Sequence, residues 1–174
     1  RKDGVNLRSI DRLQSLVGLV EIAIATVKRI STDLRPPVLD HLGLADAVRW
    51  EAVSFRARTG LRCRVQANGD STRLSSHQQT VVFRIFQEAL TNVVRHARAG
   101  AVQVALTERS GVFELRVRDN GSGITPAQAG DPRAIGLLGM RERVRALGGS
   151  MQLGRGRHEG TRIAISIPLV RNKD

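Results

Sequence analysis

Between Leu7 and Leu34 the apolar residues Ile10, Leu13, Val17, Val20, Ile24, Val27 and Leu34 keep the three-four spacing of a heptad, interrupted only at Ser31. This pattern predicts a long bundle helix. A parallel row of Leu16, Ala23 and Ile30 widens the stripe beyond a two-stranded seam, so the helix needs more than one neighbour: a second copy, an upstream helix, or both. Pro36 and Pro37 then stop it, because proline lacks the amide proton and disfavours helix at the residue before it. A second helix is expected from about Leu44 to Arg58, with Leu44, Ala47, Val48 and Phe55 inward and Gly60 as its cap. The alternation Leu61, Cys63, Val65 marks a strand from Leu61 to Gln66.

Ser75 with Gln78, and Ser76 with Gln79, both offer capping boxes for a third helix running to about Ala97 and closed by Gly100. Two strand-like runs follow, Ala101 to Glu108 and Val112 to Arg118, joined at Ser110 and Gly111 as a hairpin. The stretch 121–136 reads as loop, Leu137 to Leu147 as helix up to Gly148 and Gly149, and Ser150 to Leu153 and Thr161 to Leu169 as two last strands. This order predicts an α+β fold with helices packed on one face of a mixed sheet. The implied division is a bundle helix over 1–36, a linker over 37–43 and a domain over 44–174. No repeat of solenoid or propeller period is present, and no stretch is low in complexity.

With 174 residues, 41% of them apolar, the chain can hold one ordinary domain with a helical extension, and disorder is excluded. Its apolar runs are too short to cross a bilayer, so a soluble chain is expected. Arg1 stands where a Met would begin a gene product, and nothing near it has the order of a secretion signal; the chain reads as a fragment. The single Cys63 rules out an internal disulfide and fits a buried small hydrophobe. His41, His77, His96 and His158 do not cluster with Cys or carboxylates, so a metal would have to arrive with a ligand. A net charge of +12 points to an anionic partner: nucleic acid, an acidic protein, an anionic membrane or a nucleotide. Modules that bind single strands add exposed aromatics, whereas Trp50, Phe55, Phe83, Phe86 and Phe113 have apolar neighbours at core-like spacing. Nucleic acid is therefore the runner-up class.

Three stretches carry candidate chemistry. In the first, Gln87 to His96, a helix would place Glu88 and Asn92 one turn apart, with Arg95 and His96 one turn further on the same face. A solvated polar face is the simpler account of Glu88 and Asn92 alone, but Asn is a poor helix former without a capping task there. The second, Asp119-Asn120-Gly121-Ser122-Gly123-Ile124, ends a strand with an acid that can accept a proton from a ligand amine and glycines that admit a close ligand; alone it is also an ordinary turn. The third, Gly136-Leu137-Leu138-Gly139-Met140-Arg141, is a glycine-containing entry into a helix, where free amides and the dipole favour phosphate, although a tight turn explains it equally well.

Together and in this order, the three stretches resemble the ATPase domain of histidine kinases, the Bergerat or GHKL-type two-layer α/β sandwich shared with type II topoisomerases, Hsp90 chaperones and mismatch-repair ATPases. Glu88 and Asn92 match the N box, Asp119, Gly121 and Gly123 the first glycine box, Gly136 and Gly139 the second, and Gly160 with Thr161 the closing strand motif. Leu34 to Leu44, with its paired prolines, is similar to the junction in the nitrate-sensor and thermosensor-like kinase subfamily. The resemblance implies a protein histidine kinase with ATP and magnesium as cofactors. It further implies that Asn92 ligates magnesium, Asp119 accepts the adenine amino group, and Arg95 and His96 contact phosphates. Gly136, Leu138, Gly139 and Met140 would offer amides to phosphates, Gly121, Gly123 and Ile124 would line the nucleotide, and Thr161 would hold adenine through water. Glu88 would polarise water, or support the metal shell or the incoming histidine. The implied partners are a second copy, through the bundle helix, and a response regulator with a helix-turn-helix output domain. A cytoplasmic location is implied, with any membrane attachment lying upstream. Two departures stand out. No histidine occurs from Arg1 to Asp40, so the phosphoacceptor is absent from this chain, and the short span from Gly123 to Gly136 implies a small lid without a phenylalanine box. A related ATPase without kinase activity, or a nucleotide-binding dimerisation fragment, is the alternative.

Overall fold

The computed structural model describes residues 16–19, 35–68, 71–131, 134–156 and 160–169. Two compact units divide the chain, residues 1–35 and 36–174. In the first, Leu16 to Leu19 are helical and Leu16, Val17 and Leu19 are exposed; the rest of the expected heptad helix lies outside the described residues.

The second unit opens with α1 (Pro37–Thr59), which begins ahead of the expected start at Leu44. Pro36 is its extended N-cap and Pro37 sits in the first turn, where the missing amide has no partner to lose. The prolines expected to end one helix open another, and the expected linker is helical apart from a break at Gly43 (φ 68°, ψ 176°). Leu39, Leu44, Ala47, Val48, Ala52 and Phe55 face the core. Trp50, expected inside, is 53% exposed, because it falls on the side of the helix opposite that apolar row.

Strand β1 (Arg62–Asn68) follows, then a short 3₁₀ turn over Ser71–Arg73 and helix α2 (Ser76–Asn92). Ser75 supplies the capping box that the sequence offered: its side chain accepts from Gln78 N at 3.1 Å and Gln78 Oε1 accepts from Ser75 N at 2.9 Å. The hairpin of β2 (Ala101–Arg109) and β3 (Val112–Asp119) turns at Ser110 and Gly111, whose φ values of 52° and 76° are those of the tight turn that matches strand twist. A four-residue helix, α3 (Pro126–Ala129), stands in the stretch read as loop, capped by Thr125 and Gln128. Helix α4 (Ile135–Ala146) and strands β4 (Ser150–Arg155) and β5 (Thr161–Pro168) complete the unit.

The five strands lie in the order β1-β2-β3-β5-β4, with β1 parallel to β2 and every other pair antiparallel. Alternation sends Val102, Val104, Leu106, Phe113, Leu115, Val117, Ile163, Ile165 and Ile167 to one face, where they meet Val82, Phe83 and Phe86 of α2 and Met140 and Val144 of α4. Full burial of such side chains stabilises by about 1.5–3 kcal/mol each. The other face carries Arg62, Arg64, Gln103, Arg116 and Arg162, all exposed, which is the expected helices-on-one-face α+β sandwich. Cys63, on the edge strand, is partly buried rather than enclosed.

Candidate functional site

Helix α2 delivers Glu88 and Asn92 one turn apart, as their spacing predicted, and both are partly buried. Beyond Asn92 the backbone widens into a π-turn over Val93–Ala97, ended by Arg98 in the left-handed conformation. The extra residue per turn means that Arg95 and His96, both exposed, do not continue the Glu88–Asn92 face at helical pitch. Sequence periodicity could not show this break. The Asn92 Nδ2 atom is buried without a hydrogen-bond partner, and a half-turn of the amide would put Oδ1 in the same place. An orphaned buried polar atom is costly, by about 1–3 kcal/mol, unless a ligand satisfies it.

Asp119 closes β3 and is 5% exposed. Its Oδ1 accepts from Gly121 N at 2.8 Å and its Oδ2 from Thr161 N at 3.2 Å. Each oxygen keeps a further lone pair, so the carboxylate is oriented by the backbone yet still able to accept from a ligand. The neighbouring Asn120 Oδ1 accepts from Gly100 N and Ala101 N at 2.9 and 2.8 Å, and Ser122 N donates to Ala97 O at 2.8 Å. These bonds stitch the π-turn and the start of β2 to the end of β3. Packing is so close that a Cβ on Gly121 would stand 2.0 Å from Ala97 O, and one on Gly160 2.0 Å from Asp119 O. Gly160 also has φ 78°, which side chains avoid.

Helix α4 begins with Ala134 as N-cap and no side-chain cap. Leu138 N donates to Ala134 O at 3.0 Å, so the amides of Leu138, Gly139 and Met140 belong to the helix ladder, and the uncommitted ones are those of residues 135–137. Of the amides expected to face an anion, that of Gly136 is therefore uncommitted and those of Leu138, Gly139 and Met140 are not. Met140 is fully buried in the core, a packing residue rather than a lining one. Gly123 and Ile124 line a groove of about 670 Å³ with Thr125, Arg141, Leu153 and Arg155. Two side chains that the sequence reading passed over adjoin Glu88: Arg84, one turn before it on α2, and Arg143 on α4. Burial lowers the pKa of both; for Arg143 burial is the largest cause, Glu88 opposes it and Arg84 adds to it. The i to i+4 spacing of Arg84 and Glu88 was the available signal.

Among the described residues no group of three or more His, Cys, Asp or Glu could hold a metal, and no helix is long and apolar enough to cross a membrane. Residues 77–171 match the family described as histidine kinase-, DNA gyrase B-, and HSP90-like ATPase. The chain belongs to this family. It is 34% identical over 161 residues to the signal transduction histidine-protein kinase/phosphatase DegS of Brevibacillus brevis, covering 92% of this chain and 42% of that protein. Against the kinase/phosphatase UhpB of Salmonella typhimurium it is 38% identical over 144 residues, covering 82% of this chain and 28% of that protein. Among solved structures, the histidine kinase domain of the Erythrobacter litoralis blue-light activated histidine kinase superposes with a TM-score of 0.62 at 26% identity, over 72% of this chain and 61% of that one. The chain thus spans less than half the length of these curated relatives, and residues 77–171 are the ATPase-type catalytic domain that such kinases carry.

Proposed function

We propose that this chain is the ATP-binding catalytic part of a two-component sensor histidine kinase, passing the γ-phosphoryl group of ATP to a bundle histidine outside the sequence and thence to a response regulator. The observation that carries the reading is Asp119: a buried carboxylate, fixed by two backbone amides at a strand end and walled by Gly121 and Gly160, retains acceptor capacity for an exocyclic amine. Adenine offers that donor, while Thr161, whose amide meets the same carboxylate, lies close enough to assist. The uncommitted amides of residues 135–137, with the dipole of α4 behind them, suit phosphate oxygens.

Magnesium fits the buried, unpartnered amide of Asn92, with Glu88 one turn away to support its shell or meet the incoming histidine. Bound with ATP, it would neutralise charge on the phosphates. The protein's part is positioning: Asp119 selects the base, the α4 entry orients phosphates, and Asn92 and Glu88 organise the transferring end. Exposed Arg95 and His96 would reach phosphates from the π-turn. A homodimer through the bundle helix, a regulator with a helix-turn-helix output domain and a cytoplasmic location complete the proposal. It is supported by relatives whose names are those of kinase/phosphatases.

Joined to a bundle helix carrying an acceptor histidine, the chain should autophosphorylate on that helix alone, and Asn92→Ala should reduce labelling by at least about 100-fold. Labelling that survives Asn92→Ala undiminished would refute the assignment of Asn92.

A further inference from the structure

The place where Gly136 would carry a side chain is already taken. A Cβ there would stand 2.2 Å from Glu88 Oε1 and 3.2 Å from the Glu88 carboxyl carbon. The carboxylate therefore reaches from α2 into the first turn of α4, beside the amides left uncommitted there. Backbone conformation does not explain the glycine. Gly136 is helical and has no positive φ, so its backbone would accept an alanine as readily as a glycine. The atom in the way is the mobile tip of a side chain, so a methyl group at 136 would displace Glu88 rather than unfold the helix.

Two turns further on, Arg143 folds back towards the start of α4, as long helical side chains do. Its Nη2, Nη1 and Cζ atoms lie 3.5, 3.6 and 3.7 Å from the place of a Cβ on Gly139. Gly136 and Gly139 are three residues apart, hence neighbours on one helix face, so the Glu88 carboxylate and the Arg143 guanidinium cover adjoining positions on α4 without forming an ion pair. Burial lowers the pKa of Arg143, the Glu88 charge opposes that and the Arg84 charge adds to it. Arg143 Nε is buried without a hydrogen-bond partner, while Arg84 Nη1 donates to Gln87 Oε1 at 3.2 Å.

We infer that Gly136 and Arg143 are positioning residues for Glu88: the glycine leaves the space in which the carboxylate sits, and the positive charge of the guanidinium on the adjoining position favours the carboxylate there, against the phosphate-facing turn of α4. The inference rests on the reading of Glu88 as part of a magnesium–nucleotide site. It differs from the role that the family resemblance gives Gly136, close backbone approach to phosphate, because only the positioning role depends on Glu88.

A double-mutant cycle on this chain separates the two, with magnesium-ATP affinity and thermal unfolding measured for the wild type, Gly136→Ala, Glu88→Ala and the double variant. Gly136→Ala should keep or raise the unfolding temperature and weaken magnesium-ATP binding by roughly tenfold, the order of one charge-assisted contact. In the Glu88→Ala background the same substitution should change affinity by less than about twofold, and Arg143→Ala should behave likewise. ATP without magnesium should bind the wild type and Gly136→Ala equally. An equal loss in both backgrounds, a loss that persists without magnesium, or no loss at all would overturn the inference while leaving the nucleotide site standing. Failure of the wild type to bind magnesium-ATP would sink the site and the inference together.

Discussion

Asp119 is the residue on which the proposed nucleotide site turns, and its two backbone bonds make its contribution separable from packing. Asp119→Asn keeps the size but replaces one acceptor oxygen with a donor, which would face an N–H on either side. The expected result is loss of preference for ATP over GTP, with stability lowered by about 1–3 kcal/mol; competition binding and urea unfolding read the two effects apart. Cys63 supplies a test of the edge strand. Burial pushes its thiol from 9.0 up to about 11. Between those values the unfolded chain has lost the proton and the folded chain retains it, so this stability is whole below about pH 9 and is lost as pH rises towards about 11. The chain has no tyrosine to obscure the effect. Urea midpoints should fall between pH 9 and 11 in the wild type and fall less in Cys63→Ser; parallel profiles would contradict the assignment.

Among the elements, those whose period was unbroken were legible in the sequence: α2 from its capping box, the β2–β3 hairpin from its turn, and the inward rows of β2, β3 and β5 from alternation. The misreadings have physical causes. Leu44 marks the expected start of α1, whereas Pro36 and Pro37 already form its N-cap and first turn. The π-turn at Val93–Ala97 shifts Arg95 and His96 off the expected face, and such a bulge leaves no mark on periodicity. The Glu88, Asn92 and Asp119 placements followed from spacing and resemblance, and Arg84 shares a helix face with Glu88 at i to i+4, whereas Arg143 depends on how two helices meet, which the sequence does not display. The glycines at the element ends give a graded prediction. Gly160→Ala meets both a positive φ and the Asp119 carbonyl at 2.0 Å, and should cost more than about 2 kcal/mol. Gly154→Ala, with open space around it, should change stability by less than about 0.5 kcal/mol. Chemical denaturation of the two variants checks the contrast.

At the scale of the whole molecule, the chain's first histidine is His41, at the start of the ATPase unit rather than on a preceding helix. Incubated alone with labelled ATP and magnesium, the chain should therefore bind nucleotide and acquire no stable phosphohistidine, because proximity worth about 7–11 kcal/mol of the barrier is missing; label on His41 would overturn that view of the junction. The apolar stripe from Ile10 to Leu34 should make the chain self-associate, and Val20→Lys should dissociate it in sedimentation experiments. The central claim, a nucleotide site organised by Asp119 and Asn92, is tested most directly by titrating the chain with magnesium-ATP and magnesium-GTP at equilibrium. The account predicts saturable binding of ATP, at least about tenfold tighter than GTP and weakened by Asn92→Ala. Equal, non-saturating uptake of both nucleotides, falling by orders of magnitude as salt rises, would contradict it and point to the +12 charge alone.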